Sequence, residues 1–131
     1  MLQLTITTPA SCSGLLADIC HALAGAGVNI LDIDIVEDRR KGVIVLHAVP
    51  DDVARRVLED EGFTVETRQT LVLELPDEQG AIVPVADLLK DHAINVRSMH
   101  VLHRVQGGGQ IAIHTDNDDA AREVLRDYLA Q

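Results

Sequence analysis

Two stretches decide how this chain folds: Gly14-Leu15-Leu16-Ala17-Asp18-Ile19 running on to Val28-Asn29-Ile30, and Gly80-Ala81-Ile82-Val83-Pro84-Val85 running on to Ile94-Asn95-Val96. Displacing the chain by 66 residues lays one on the other, glycine on glycine and asparagine on asparagine. Leu23 then falls on Leu89, and Pro9 and Pro76 stand just ahead of the two stretches. After a one-residue shift, Ile44, Leu46, His47, Val57 and Leu58 fall on Ile111, Ile113, His114, Val124 and Leu125. A polarity match at a fixed offset over most of a chain marks an internal duplication.

Outward from the first stretch, Leu2, Leu4 and Ile6 alternate with Gln3, Thr5 and Thr7, the period of a strand covered on one face. Leu16, Ile19, Cys20 and Leu23 recur at helical spacing, with Ser13 placed to cap the helix and Gly25 and Gly27 to stop it. Asn29 to Asp38 puts Leu31, Ile33 and Ile35 on one strand face and Asp32 and Asp34 on the other. Arg39-Arg40-Lys41-Gly42 then turns the chain into a strand over 43–49. Asp51 or Asp52 is expected to cap a helix carrying Val53, Val57 and Leu58, which Gly62 ends.

No Gly, Pro or Asn interrupts 63–75, so the last strand of copy one is expected to run into the first strand of copy two. Copy two predicts a helix over 82–91, strands over 95–104 and 110–114 around the Gly107-Gly108-Gly109 turn, and a helix over 118–129. The fold class is therefore α+β, two tandem ferredoxin-like βαββαβ units over 1–68 and 69–131, packed as one pseudo-symmetric body. Right-handed crossovers place both helices of a unit on one face of its antiparallel sheet. The second unit lacks its own last strand, and the edge left open is expected to be filled by a homodimer contact or a borrowed strand.

Composition narrows the function classes. With 47% hydrophobic and 24% charged residues the chain can bury a core. A net charge of −10 and 2% aromatics leave neither a basic footprint nor stacking rings, so no direct nucleic-acid partner is expected. No apolar run approaches the roughly 20 residues of a membrane span, so no membrane partner is expected and a cytoplasmic location is. Cys12 and Cys20, spaced C-x7-C, match neither a zinc knuckle nor a redox pair.

The duplicated glycine precedes a helix and the duplicated asparagine opens a strand, and the two are expected at the same end of each unit, close in space. Free N–H groups at a helix start attract a carboxylate, and an asparagine amide both donates and accepts. Together they could hold the polar end of an amino acid; alternatively the glycines serve only tight turns and the asparagines only irregular backbone.

The stretch Ser13-Gly14-Leu15-Leu16-Ala17 through Ala26-Gly27-Val28-Asn29-Ile30 resembles the ACT domain, a small ligand-sensing module of amino-acid metabolism, and the likeness extends over nearly the whole chain as two copies. The resemblance implies a regulatory, allosteric protein whose units pair side by side through their sheets and bind an amino-acid effector at the junction. It implies ligand contacts at Ser11, Cys12, Ser13, Gly14, Leu15 and Asn29 in copy one and at Gln79, Gly80, Ala81 and Asn95 in copy two. It also implies a homodimer, and a metabolic enzyme or regulator as the protein partner. The family loop often reads D-R-P-G or N-R-P-G, but no Arg-Pro precedes either glycine here. Asp77 and Glu78 would repel a ligand carboxylate, which makes copy one the better acceptor by charge.

Other constellations are weaker. His21, His47, His92, His100, His103 and His114 are not spaced as a ligand set, so no metal or cofactor is expected. Asp32 and Asp34 share a strand face opposite the expected helix layer, a solvated or interface face, and the Arg39-Arg40-Lys41 cluster is a hairpin tip. No G-x-S-x-G, H-E-x-x-H, P-loop or dinucleotide fingerprint occurs. The expectation is a non-catalytic amino-acid-binding regulator, with docking on an enzyme or transcription factor without a ligand as the alternative.

Overall fold

The computed structural model describes residues 1–9, 14–38, 41–105 and 107–130. The element order is β1 (Leu2–Pro9), α1 (Leu15–Gly25), β2 (Asn29–Asp38), β3 (Lys41–Val49), α2 (Asp51–Asp60), β4 (Val65–Gln69), β5 (Leu71–Pro76), α3 (Val83–Asp91), β6 (Val96–Val105), β7 (Gly108–Thr115) and α4 (Asp118–Val124), with a 3-10 turn at Arg126–Tyr128. Two compact units result, Met1–Gln69 and Thr70–Gln131. No helix among the described residues is long and apolar enough to cross a membrane.

Unit 1 is a complete βαββαβ unit with sheet order β2-β3-β1-β4, every pairing antiparallel. Leu4 pairs with Leu46 and Ile6 with Ile44, so these four apolar side chains share one sheet face. Ile19 and Leu23 of α1 and Ala54 and Leu58 of α2 close over them, and all eight are buried in one cluster. The helical periodicity is off by one position at its start. Leu16 is 40% exposed, and Leu15, four residues before Ile19, packs on the core instead.

Unit 2 repeats the plan with sheet order β5-β7-β6 and a core of Leu71, Leu73, Leu75, Val85, Leu89, Ile94, Ile113, Ala121 and Leu125. Only Thr70 separates β4 from β5, yet the two strands belong to different sheets. Among the described residues unit 2 has three strands, one fewer than unit 1, as the sequence predicts. The edge this leaves on β5 is met by the unit's own tail: Leu129 bridges Leu73, and Ala130 N–H donates to the Val72 carbonyl at 2.8 Å. This tail explains why α4 stops at Val124 rather than continuing to 129. The chain must turn extended to reach the β5 edge.

Three helices end in the same backbone motif. The N–H of Val28, Phe63 and Ile94 donates to the carbonyl of Leu23, Leu58 and Leu89 at 2.9, 3.1 and 2.9 Å. Each end needs a left-handed residue one position earlier. Gly27 (φ 75°) and Gly62 (φ 95°) supply it in unit 1, and Ala93 (φ 55°) in unit 2. Two capping expectations change. Pro50, not Asp51 or Asp52, is the N-cap of α2, because the Asp51 carboxylate accepts from Leu2 N–H at 2.8 Å. Gly14 is the N-cap of α1, and Ser13 lies outside the described residues.

Leu46, fully buried, and Ile35, 49% exposed on β2, separate core from surface. Leu46→Ala should lower unfolding free energy by about 2–5 kcal/mol, and Ile35→Ala by no more than about 0.5 kcal/mol. Urea denaturation followed by circular dichroism measures both.

Candidate functional site

The expected site residues divide into two groups that each unit holds apart. In unit 1 the β1 end leading to Gly14 is marked by Pro9 opposite Lys41, while Asn29 stands opposite Val49. Lys41 and Val49 are the two ends of β3, a separation of about 27 Å at roughly 3.4 Å per residue. In unit 2 Pro76 stands opposite Gly108, and Asn95 lies beside Asp116, past the far end of β7. The expectation that glycine and asparagine of one unit are neighbours is therefore overturned. The chain runs along β1, returns along α1 and starts β2 at the opposite end, so a helix-length separates the two.

Gly14 and Asn29 are exposed, and Leu15 is half-buried against the unit 1 core. Ser11, Cys12 and Ser13 lie outside the described residues, as do Arg39 and Arg40 of the basic hairpin tip. Gln79 and Gly80 are exposed and Ala81 is half-buried in the loop between β5 and α3. Gly80 has φ 78°, and its carbonyl accepts from Val83 N–H at 3.0 Å in the turn that leads into α3, whose first helical bond runs from Ala86 N–H to the Ile82 carbonyl at 2.9 Å.

A cleft of about 220 Å³ opens at this loop, lined by Glu78, Gly80 and Ala81 together with Leu75, Ile82, Val101 and Ile111 from the unit's own sheet and helix start. Asp77, whose N–H points to the Gly107 carbonyl at 3.4 Å, also lines it. The floor is apolar and the rim carries two carboxylates, a chemistry suited to a ligand with an ammonium group and an apolar body. At about 4 Å such a charge pair contributes roughly 1 kcal/mol in water and more where water is excluded.

The asparagine end of unit 2 is built differently. Asn95 and Val96 border a second cleft with Ala86, Leu89, Lys90, Ala93 and Ile94. Asn95 Nδ2 donates to Asp116 Oδ2 at 3.2 Å, and Asn95 N–H donates to Asp116 Oδ1 at 3.1 Å. Sequence reasoning passed over Asp116, although the one-residue shift that aligns His47 with His114 also aligns Val49 with Asp116.

The duplicated histidines His47 and His114 are both buried, at 0% and 2% exposure. His47 Nδ1 stands 3.6 Å from Asp32 Oδ2, and His114 Nδ1 stands 3.8 Å from Asp118 Oδ2. The acid comes from β2 in one unit and from α4 in the other. Asp32, expected on a solvated or interface face, thus faces a buried histidine across the β2–β3 pair. Thr70 Oγ1 lies 3.3 Å from His114 Nε2. Among the described residues no group of three or more His, Cys, Asp or Glu side chains is arranged to hold a metal ion.

Left-handed backbone suits glycine and strains alanine by about 1–2 kcal/mol. Ala93→Gly should therefore raise stability by about 0.5–1 kcal/mol after the entropy of the unfolded chain is counted. Gly80→Ala should lower it by about 0.5–1 kcal/mol on the same accounting. Chemical denaturation of the two variants beside the parent chain checks the opposite signs.

Residues 13–61 match the model of the ACT domain. In fold the chain is similar to protein BT0572 from Bacteroides thetaiotaomicron, with 23% identity, a TM-score of 0.85 and coverage of 98% of this chain and 90% of that one. It is also similar to the ligand-free regulatory subunit of aspartate kinase from Thermus thermophilus, at 16% identity and a TM-score of 0.60 over 96% and 91% of the chains. The regulatory subunit of aspartate kinase from Thermus flavus is similar at 14% identity and a TM-score of 0.52 over 95% and 88%. No curated protein matches the chain. The ACT domain match thus covers most of the first unit, and the second unit repeats the strand and helix order of the first without its last strand among the described residues.

Proposed function

We propose that this chain is a non-catalytic, cytoplasmic regulatory protein that binds an amino acid and works as a homodimer. The observation that carries the reading is the cleft beside Gly80, an apolar floor under the Asp77 and Glu78 carboxylates. The family-model match on residues 13–61 supports it, as does the occurrence of the same fold in regulatory subunits of aspartate kinase. The ligand contacts proposed are Ser11, Cys12, Ser13, Gly14, Leu15 and Asn29 in the first unit and Gln79, Gly80, Ala81 and Asn95 in the second. Because each unit holds its glycine loop and its asparagine at opposite ends, one small ligand does not meet both residues of the same unit.

A second reading is a docking subunit that binds a metabolic enzyme or regulator without a ligand. Ile33, Ile35 and Val36 on β2 and Met99 and Val101 on β6 favour it, being large, apolar and exposed on the two edge strands.

Thermal unfolding with each of the twenty amino acids separates the two. Followed by circular dichroism, since the chain has no Trp, the midpoint should rise by several degrees for one amino acid or a few. Saturation at 100 times Kd adds about 2.7 kcal/mol to the native state. No shift with any of the twenty would remove the amino-acid reading, and capture of an enzyme from native extract regardless of added amino acid would then favour docking.

A further inference from the structure

The two units differ most along the outer edge of their first strands. In unit 1, β4 lies against β1 from Leu2 to Ile6, with Val65 opposite Ile6. In unit 2, β5 is bonded on one side to β7, and among the described residues the backbone pairing on its other side is limited to Leu129 and Ala130. Counted back from Pro9 and Pro76, Ile6 corresponds to Leu73. Leu129 therefore stands opposite Leu73 as Val65 stands opposite Ile6, and the short segment is the counterpart of β4. It is paired at Leu73 alone, with Ala130 N–H donating to the Val72 carbonyl at 2.8 Å, whereas β4 is paired along its full length. So few backbone bonds place the segment at the low end of the scale of local opening.

The edge beneath it is complementary to itself. Backbone groups alternate in direction along an antiparallel strand. The Val72 carbonyl points away from β7 to Ala130, so the N–H and C=O groups of Val72 and Glu74 lie on the outer edge, and those of Leu71, Leu73 and Leu75 bond β7. A second copy laid antiparallel about a two-fold axis at Leu73 sets Val72 against Glu74 of the second copy, and Glu74 against its Val72. All the outward groups of both residues are then satisfied, Leu73 lies beside its own copy, and the two Glu74 carboxylates stay out of direct opposition. Identical edges meeting on a two-fold axis close as a pair and go no further.

We propose that Leu129 and Ala130 form a latch over a self-association edge: docked, they occupy β5, and their release lets β5 pair with β5 of a second copy. The inference needs no amino-acid ligand, and it concerns a different edge from the exposed apolar residues of β2 and β6. The latch departs at the turn Arg126–Tyr128, beyond which Leu129 is extended, with φ −66° and ψ 136°. Leu125, fully buried, anchors α4 when the latch is open. An uncovered edge of apolar, strand-forming sequence invites pairing with another chain, and Leu71-Val72-Leu73-Glu74-Leu75 is such a sequence.

Light scattering behind size-exclusion chromatography tests this, with the mass of the parent chain as baseline. Cutting the chain after Tyr128 should double that mass. Ala130→Pro should do the same at unchanged length, because it removes the N–H that bonds Val72 while the extended backbone of Leu129 accepts a following proline. Val72→Pro in the cut chain removes an outward N–H without touching the bonds to β7, and should return the mass to that of the parent. The proposal is overturned if the cut chain and Ala130→Pro both keep the parental mass while circular dichroism shows them folded. A doubled mass that survives Val72→Pro overturns it too, since association then uses another surface. Unfolding of both the cut chain and Ala130→Pro would make the segment a structural strand and not a latch, and overturns it equally.

Discussion

Each unit hangs on one antiparallel pairing, β1 with β3 in the first and β5 with β7 in the second. Leu4 against Leu46 and Ile6 against Ile44 make the floor on which α1 and α2 rest, and Leu73 against Ile111 and Leu71 against Ile113 do the same under α3 and α4. Because the strand period is two, a slip of one residue in either pairing would turn these side chains to the other face and leave the helices nothing apolar to cover. The pairing also sets the direction of each crossover. With β1 and β3 antiparallel and β2 bonded to the outer edge of β3, α1 must carry the chain back along the sheet before β2 begins.

That direction governs what the candidate site residues can do. A glycine loop at one end of the sheet and an asparagine at the other are separate polar stations, and each is shaped by whatever stands opposite it. At the loop end of unit 2 the surroundings are an apolar floor and two carboxylates. At the asparagine end the neighbouring residue differs, valine in one unit and aspartate in the other. Duplication preserved the backbone and the core while leaving such exposed positions free to diverge.

The helix ends show the same separation of frame from detail. Three helices stop through one hydrogen-bonding pattern, and in each the capped carbonyl belongs to a buried leucine, Leu23, Leu58 or Leu89. The pattern requires a left-handed residue, which glycine adopts freely, yet Ala93 holds the conformation in unit 2. The burial of Ile94 and Leu89 on either side keeps it there. The tail of unit 2 follows a similar logic, since an open β5 edge next to a buried Leu73 is satisfied by one bridge from Leu129 in place of a full strand.

Sequence alone settled the duplication, the βαββαβ order and most of both cores, because alternation at period two and recurrence at period 3.6 survive in any one-sided sheet covered by helices. It placed the Gly14 and Gly80 loops at helix starts and the asparagines at strand starts, and it recognised that unit 2 is a strand short. Tertiary structure decided the rest. Leu15 rather than Leu16 faces the core because helix rotation is set by packing. Asp51 bonds Leu2 instead of capping α2 because the start of β1 comes within reach of it. The separation of glycine and asparagine already follows from the strand-helix-strand order, with one residue at each end of the helix, whereas the contact of Asp116 with Asn95 belongs to strand register, which brings together residues far apart along the chain and which local pattern does not encode.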